Sequence, residues 1–344
     1  MNYQSNKPSK APAGLSSFLA PLSEFLQRDD VTEICINEPN SFFVETHDGW
    51  TKHTSDALNF SFLGGLATAV GSFTKQEISS TNPILSGTLP DGERIQIVMP
   101  PAVPTGTMSI TIRRPSNRTW SLAELHGMGM FENVSTNTTQ MSADDSELIE
   151  LHKSKRWVEF LTKAVQSKKN ILVSGATGTG KTTFSKALIP LIPADERLIT
   201  IEDTVELEIP QANNVRLIYS KGGQGASKVT ARELLESSLR MRPDRIFLQE
   251  LRDATAFYYL RNVNTGHSGS ITTIHADSAM LAFVQLALLV KESDAGRDLS
   301  RSEIEQMLIQ MVDIVVQIKR QEQGRRITEI YFDPARKHAN EVAS

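Results

Sequence analysis

Apolar residues along this chain change their spacing repeatedly, and each change marks a different kind of segment. At Leu15, Phe18, Leu19, Leu22, Phe25 and Leu26 they recur every three or four residues, which predicts an amphipathic helix kinked by Pro21. Val31–Ile36 and Phe42–Glu45 then read as strands around an Asn37–Asn40 turn, with Asp48-Gly49 as a hairpin signal. Phe60–Phe73 predicts a second helix, weakened by Gly64-Gly65. Two more strands surround Arg94–Val98, after a Pro90-Asp91-Gly92 turn, and Met108–Arg113, which stops at Pro115. Residues 15–116 thus predict an N-terminal α+β domain behind a polar, Pro-rich tail over 1–14 that is expected to be disordered.

Between 117 and 145 the periodicity lapses. Gly127-Met-Gly and the low-complexity run Asn133–Gln140 predict an interdomain linker. A helix is predicted over 146–167, with Leu148, Leu151, Val158, Leu161 and Val165 on one side. Its other side, with the residues just beyond it, carries Lys153, Lys155, Arg156, Lys163, Lys168 and Lys169. Such a face can lie on an anionic membrane, but a solvated outer face is the favoured reading.

After Asn170 short apolar strands alternate with helices. The strands are Ile171–Val173, Arg197–Ile201, Arg245–Leu248 and Ser270–Ile274. One helix opens at the capping box Thr230-x-x-Glu233 and ends before Pro243; another runs from Asp277 or Ser278 to about Val290, and a third over Ser302–Met311. Strands at Ile314–Ile318 and Ile327–Phe332 turn at Gly324, and residues 335–344 read as a polar tail. The alternation predicts an α/β fold over 146–334, a parallel sheet with helices on both faces.

Composition narrows the function classes. At 344 residues the chain has room for two domains, and 39% apolar with 22% charged residues describes an ordinary globular protein. No window approaches 18 consecutive apolar residues and the N-terminus lacks a secretory core, so a cytoplasmic chain is expected. Cys35 is the single cysteine, which excludes an internal disulfide and a cysteine-based zinc site and suits a small buried apolar role. A net charge of −4 disfavours nucleic acid as the primary partner.

The densest chemistry follows the strand at Ile171. Gly175-Ala176-Thr177-Gly178-Thr179-Gly180-Lys181-Thr182 matches the phosphate-loop pattern G-x-x-x-x-G-K-[ST], with Thr183 next in the helix behind it. Glycines let successive N–H groups turn inward onto phosphate oxygens, and the helix adds its positive end. Lys181 can reach the β- and γ-phosphates of ATP, and the Thr182 hydroxyl can ligate Mg²⁺. In sheets of this kind ligands sit beyond the carboxyl ends of the strands. There the chain places Glu202-Asp203, Gln249-Glu250 and His275. Glu250 is a candidate to hold Mg²⁺, directly or through a water, and Glu202 a candidate to orient or deprotonate the attacking water. Which carboxylate is the base stays open at this point. His267 and His275 bracket strand 270–274 as candidate γ-phosphate sensors.

These segments, GATGTGKTT, TIEDTVEL (Thr200–Leu207), LRMRPDRIFLQELRD (Leu239–Asp253) and TGHSGSITTIHADS (Thr265–Ser278), occur in one order. They resemble the Walker A, Asp box, Walker B and His box of the secretion (traffic) ATPases, most closely the VirB-type ATPase of type IV secretion and conjugation systems. The resemblance covers Asn170 to about Phe332 and extends more weakly to Gly92–Ile97 and Ser109–Pro115. It implies a RecA-like core and a homohexameric ring hydrolysing Mg-ATP, with nucleotide between the two domains of each subunit. By position Arg94 and Arg113 match N-terminal arginines that reach the phosphates, and Arg240 and Arg252 match phosphate or subunit-interface contacts. The implied partners are inner-membrane secretion-channel components and coupling ATPases, with peripheral attachment to the bacterial inner membrane through them. Gln249 departs from the family, whose members usually have Gly there; a side chain at that point is expected to crowd the nucleotide or replace a water. No tetracysteine motif is present, which argues against the type II assembly branch. The rival readings are a type IV pilus or type II secretion motor, a nucleic-acid-driven motor on the same core, and a nucleotide-gated assembly factor without turnover.

Overall fold

The computed structural model describes residues 12–115, 119–134, 141–220 and 227–343. The predicted first helix is two: α1 (Ala13–Leu19) and α2 (Ser23–Gln27), joined by a 3-10 turn at Ala20–Leu22 that contains Pro21. Proline lacks the N–H that a continuous helix would use there. Six strands follow, β1 (Glu33–Glu38), β2 (Ser41–Thr46), β3 (Gly49–Thr54), β4 (Ile84–Thr88), β5 (Arg94–Val98) and β6 (Ser109–Arg113), with α3 (Phe60–Thr74) between β3 and β4. They form one antiparallel sheet in the order β3-β2-β1-β6-β5-β4. Gly64-Gly65 does not break α3. The Phe18 ring of α1 lies where a Cβ on Gly65 would be, 2.5 Å away, so the glycine permits the two helices to close.

Alternation along β1, β5 and β6 divides two kinds of buried surface. Ile34, Ile36, Ile95, Ile97, Ile110 and Ile112 face α1 and α3 in an apolar core. Glu33, Cys35, Gln96, Ser109 and Thr111 alternate with them, yet are also buried. Burying polar groups calls for partners. Gln96 Nε2 donates to Ser237 Oγ of the second half of the chain at 2.9 Å, while Val98, Ala102 and Val103 join that half's core.

Within the span expected to be linker, α4 (Leu122–Gly127) forms behind a Ser121/Glu124 capping box, with none of its residues buried. The helix predicted over 146–167 is α5 (Ala143–Lys153) and α6 (Trp157–Gln166). Lys155 adopts a left-handed φ of 56°, and the Arg156 N–H returns to Leu151 O, a Schellman end to α5. Their cations are matched internally: Lys163 pairs with Asp144 and Glu147, Lys169 with Asp145, and Lys168 with Glu196.

The remaining elements are β7 (Ile171–Ser174), α7 (Lys181–Leu188), β8 (Leu198–Glu202), β9 (Asn214–Ile218), α8 (Ala231–Ser238), β10 (Arg245–Leu248), α9 (Thr255–Asn264) and β11 (Ile271–Ile274). Then come α10 (Ala279–Glu292), α11 (Arg301–Met311), β12 (Ile314–Gln321), β13 (Gly324–Phe332) and α12 (Pro334–Ala343), the last where a polar tail was expected. Strands β10-β8-β9 and β11-β7-β12-β13 form two ladders that meet where Glu250 bridges Thr273. Along this seam the Ser270, Thr272 and Thr273 hydroxyls donate to the carbonyls of Ile246, Leu248 and Gln249. Side chains thus fill the ladder positions that backbone N–H groups leave. Except for β13, all strands are parallel, and an apolar core covers each face. Strands β4 and β9 and helix α9 lie in stretches where no element was predicted. Among the described residues no helix is long and apolar enough to cross a membrane.

Candidate active site

Strand β7 runs between β11 and β12, so the loop after it opens at a carboxyl edge with strands on both sides. A Cβ on Gly175 would stand 2.5 Å from Ile318 O, and Gly180 has a φ of +97°; neither place admits an ordinary side chain. Thr179 closes the turn by donating its hydroxyl to Ala176 O at 2.9 Å. Thr177 and Gly178 form the exposed crest, and Lys181, Thr182 and Thr183 begin α7.

Lys181 is buried and bends back, donating to Gly175 O at 2.8 Å and Ala176 O at 3.2 Å. Desolvation lowers its pKa from the usual lysine value, opposed by the Glu250 charge. Its Nζ also lies 3.2 Å from His275 Nδ1. An ammonium only donates, so Nδ1 accepts and the neutral ring carries its proton on Nε2. That atom stands 2.6 Å from Glu250 Oε1, in a bent approach that leaves the oxygen without an aligned donor. Glu250 Oε2 accepts from Arg252 Nε at 2.7 Å, and Arg252 reaches on to Asp203 Oδ2 at 2.8 Å. The two carboxylates hold the guanidinium pKa above its usual value, hydrogen bonding to Glu250 contributing most. The ends of β7, β11, β10 and β8 therefore meet in one series of polar contacts: Lys181, His275, Glu250, Arg252, Asp203.

Glu202 is placed differently. It is fully buried; Oε1 accepts from Thr200 Oγ1, and Oε2 accepts from the N–H groups of Glu206 and Leu207 at 2.8 and 2.9 Å. These bonds make it a clamp on the segment leaving β8, and of the two glutamates it is Glu250 that adjoins the phosphate loop. Gln249, expected to crowd the nucleotide, lines a small pocket with Thr182, Ser185 and Thr273, its Oε1 buried and unpartnered. The oxygens of Thr182 and Glu250 Oε1 suit Mg²⁺, a hard cation that takes one or two protein ligands and otherwise phosphates and water. Bound there, the ion would neutralise charge on the phosphates.

The structure separates the remaining predicted residues from this constellation. Arg94, Arg113, Arg240 and His267 line a different cleft, of about 610 Å³, together with Arg242 and Glu33. Leu239–Pro243 lead into β10 and Gly266-His267 lead towards β11. The cleft thus lies at the amino ends of strands whose carboxyl ends carry the acids and the phosphate loop. His267 and His275 occupy opposite ends of one strand, so they cannot sense one phosphate within a single chain. Burial lowers the His267 pKa. Arg242 was not singled out in the sequence, although its place in the MRPDRI stretch was a signal; it pairs with Glu45 at 2.5 Å and Asp244 at 2.9 Å.

Glu33, beneath Arg113 at 3.5 Å, was also unmarked. Burial pushes its pKa from 4.5 up to about 7, with Arg113 opposing. An acid raised on folding takes up a proton between these values, so its contribution to stability falls as pH rises from about 4.5 to 7. Glu33→Gln is expected to remove that slope and to raise stability at pH 8 by up to about 3 kcal/mol. Denaturant titrations at pH 5 and pH 8 measure this; equal pH slopes in both proteins would refute it.

A parallel sheet with a phosphate loop at its carboxyl edge and strand-end acids facing that loop defines the P-loop class of nucleotide-binding α/β proteins. Residues 18–341 match the model of the Type II/IV secretion system protein family, and the chain belongs to that family. It is 53% identical over 327 residues to the type IV secretion system protein VirB11 of Bartonella henselae, covering 92% of each chain. With VirB11 of Brucella suis it shares 40% over 336 residues, 96% of this chain and 93% of that one. The crystal structure of the VirB11 ATPase from the Brucella suis type IV secretion system, in complex with sulphate, matches with a TM-score of 0.91 over 97% of this chain and 98% of that one. The expected α/β fold, an N-terminal antiparallel sheet domain and a C-terminal parallel one, is that of this relative, and the family is the VirB11 type IV secretion ATPases.

Proposed function

We propose that the chain hydrolyses Mg-ATP in a homohexameric ring and that turnover powers type IV secretion or conjugative transfer, pilus assembly included. The observation carrying the catalytic part is the contact series from Lys181 through His275 to Glu250 beside the phosphate loop. Lys181 exchanges loop carbonyls for phosphate oxygens when ATP enters, and Glu250 orients the water or takes its proton. His275, between them, reports to each whether the terminal phosphate is present. The Brucella suis relative was determined with sulphate, an anion of the same tetrahedral class.

The ring supplies what one chain lacks. Arg94 and Arg113, paired at one end of the neighbouring strands β5 and β6, act on the nucleotide of a neighbouring subunit, with Arg240 and His267 in the same cleft. That arrangement makes hydrolysis conditional on assembly. In the cell the ring sits in the cytoplasm at the inner membrane, held by secretion-channel components and coupling ATPases. Nucleic acid is not its primary ligand.

Glu250→Gln tests the catalytic assignment. It should bind nucleotide as the wild type does and turn over about a hundredfold more slowly. Wild-type turnover in that variant would discard the role of Glu250.

A further inference from the structure

The hairpin of β12 and β13 projects past β7 and carries four cations towards its tip. Arg320 lies directly across from Arg325, and Lys319 across from Arg326. None of the four takes part in an ion pair among the described residues. Like charges directly opposite on a ladder repel, so a fold that keeps two such pairs spends stability on them. An anion beside them would reverse the sign.

The hairpin also lies against the phosphate loop. Ile318 O lies 2.5 Å from the Cβ position of Gly175, and Arg325 lies over Gly180, its Cδ 3.1 Å and its Nε and one terminal nitrogen 3.5 Å from that glycine's Cβ position. Alternation along a strand puts Arg320 and Arg325 on the same face and Lys319 and Arg326 on the other. The register shift at Gln317/Ile318 sits just before these residues, a bulge of the kind that re-aims side chains next to active sites.

We infer that Arg325, backed by Arg320, binds the polyphosphate of the nucleotide from the side opposite Glu250 and His275. The inference rests on the ATPase reading above and adds a ligand-binding residue that no motif marks. Strand order assigns the phosphates. β7 has β11 on one side, with His275 at its end and Glu250 beside it, and β12 on the other. The transferred γ-phosphate faces the acids; the hairpin then grips the phosphates that stay with ADP. Such binding is the same before and in the transition state, so it sets KM and leaves kcat alone.

The test is steady-state kinetics with ATP and equilibrium binding of ADP on the full-length assembled protein. Arg325→Ala should raise both KM for ATP and Kd for ADP about tenfold or more, with kcat within about twofold. Arg325→Lys should recover part of the affinity, and Arg326→Ala, on the other face, should change neither constant. Melting of Arg325→Ala without nucleotide should hold or rise, because a like-charge pair is gone. Unchanged KM and Kd in Arg325→Ala, beside a wild type that hydrolyses ATP, would overturn the inference and leave the ATPase reading intact. Equal losses in Arg325→Ala and Arg326→Ala would overturn it as well, by showing a hairpin that matters for shape alone. A wild type that binds no nucleotide would overturn both.

Discussion

Lys181→Ala is expected to leave a folded chain with no measurable ATP turnover, a loss of about a thousandfold or more. The side chain is buried and holds no carboxylate; its partners are two loop carbonyls and the accepting nitrogen of His275. Its removal therefore leaves no buried charge unpaired, and the unliganded protein should melt near the wild-type temperature. The loss falls on the complex. Phosphoryl transfer asks the protein mainly for position and charge, and Lys181 holds its charge against the loop's own carbonyls. In the wild type ATP should raise the melting temperature by mass action, and in the variant that rise should shrink with the weaker affinity. Phosphate release and melting with and without ATP measure both effects. Unchanged turnover would remove the phosphate-loop assignment, whatever the fold.

How far the chain could be read from its letters depends on how local each feature is. The phosphate loop was legible because Gly175, Gly180 and Lys181 act within six residues of one another and the backbone itself does the work. The two sheets were legible for a similar reason: isoleucines alternating along Ser109–Arg113 and continuous apolar runs such as Ile171–Val173 demand different environments. Helix ends were less so. One residue, Lys155, divides α5 from α6 through a left-handed turn that no glycine announces. Strand β9 packs its short apolar side on a core whose position depends on β8, so its pattern alone is too brief to declare it. The site's wider membership was legible least of all. His267 and His275 are eight positions apart and both adjoin β11, yet a strand's two ends face opposite edges of a sheet. Sequence spacing carries no sign for which end holds the ligand; topology does. Arg325 was hidden for the opposite reason, since its proximity to Gly180 comes from the pairing of β12 with β7.

In the proposed ring the second large effect is a property of pairs of subunits. Arg113→Ala alone should cost about 10³–10⁵ in turnover if its guanidinium neutralises charge on a neighbour's ATP. The side chain is free to do so: it is 68% exposed, and among the described residues its one ion pair is the 3.5 Å approach to Glu33. Removing it should not unfold the domain either, because burial already favours the neutral form of Glu33 and leaves an acid rather than an orphaned anion. Lys181→Ala and Arg113→Ala then fail for reasons located on different chains. Co-expressed in equal amounts with different tags and purified through both, they should form rings in which an intact loop meets an intact arginine at roughly a quarter of the heterologous interfaces. Turnover should reappear, well above either parent. An arginine acting on its own chain's nucleotide would give no recovery, since every subunit in the mixture lacks one of the two groups. Doubly tagged rings as inactive as their parents would therefore place Arg113 on its own chain's nucleotide, or away from any, and end the claim that assembly completes the site.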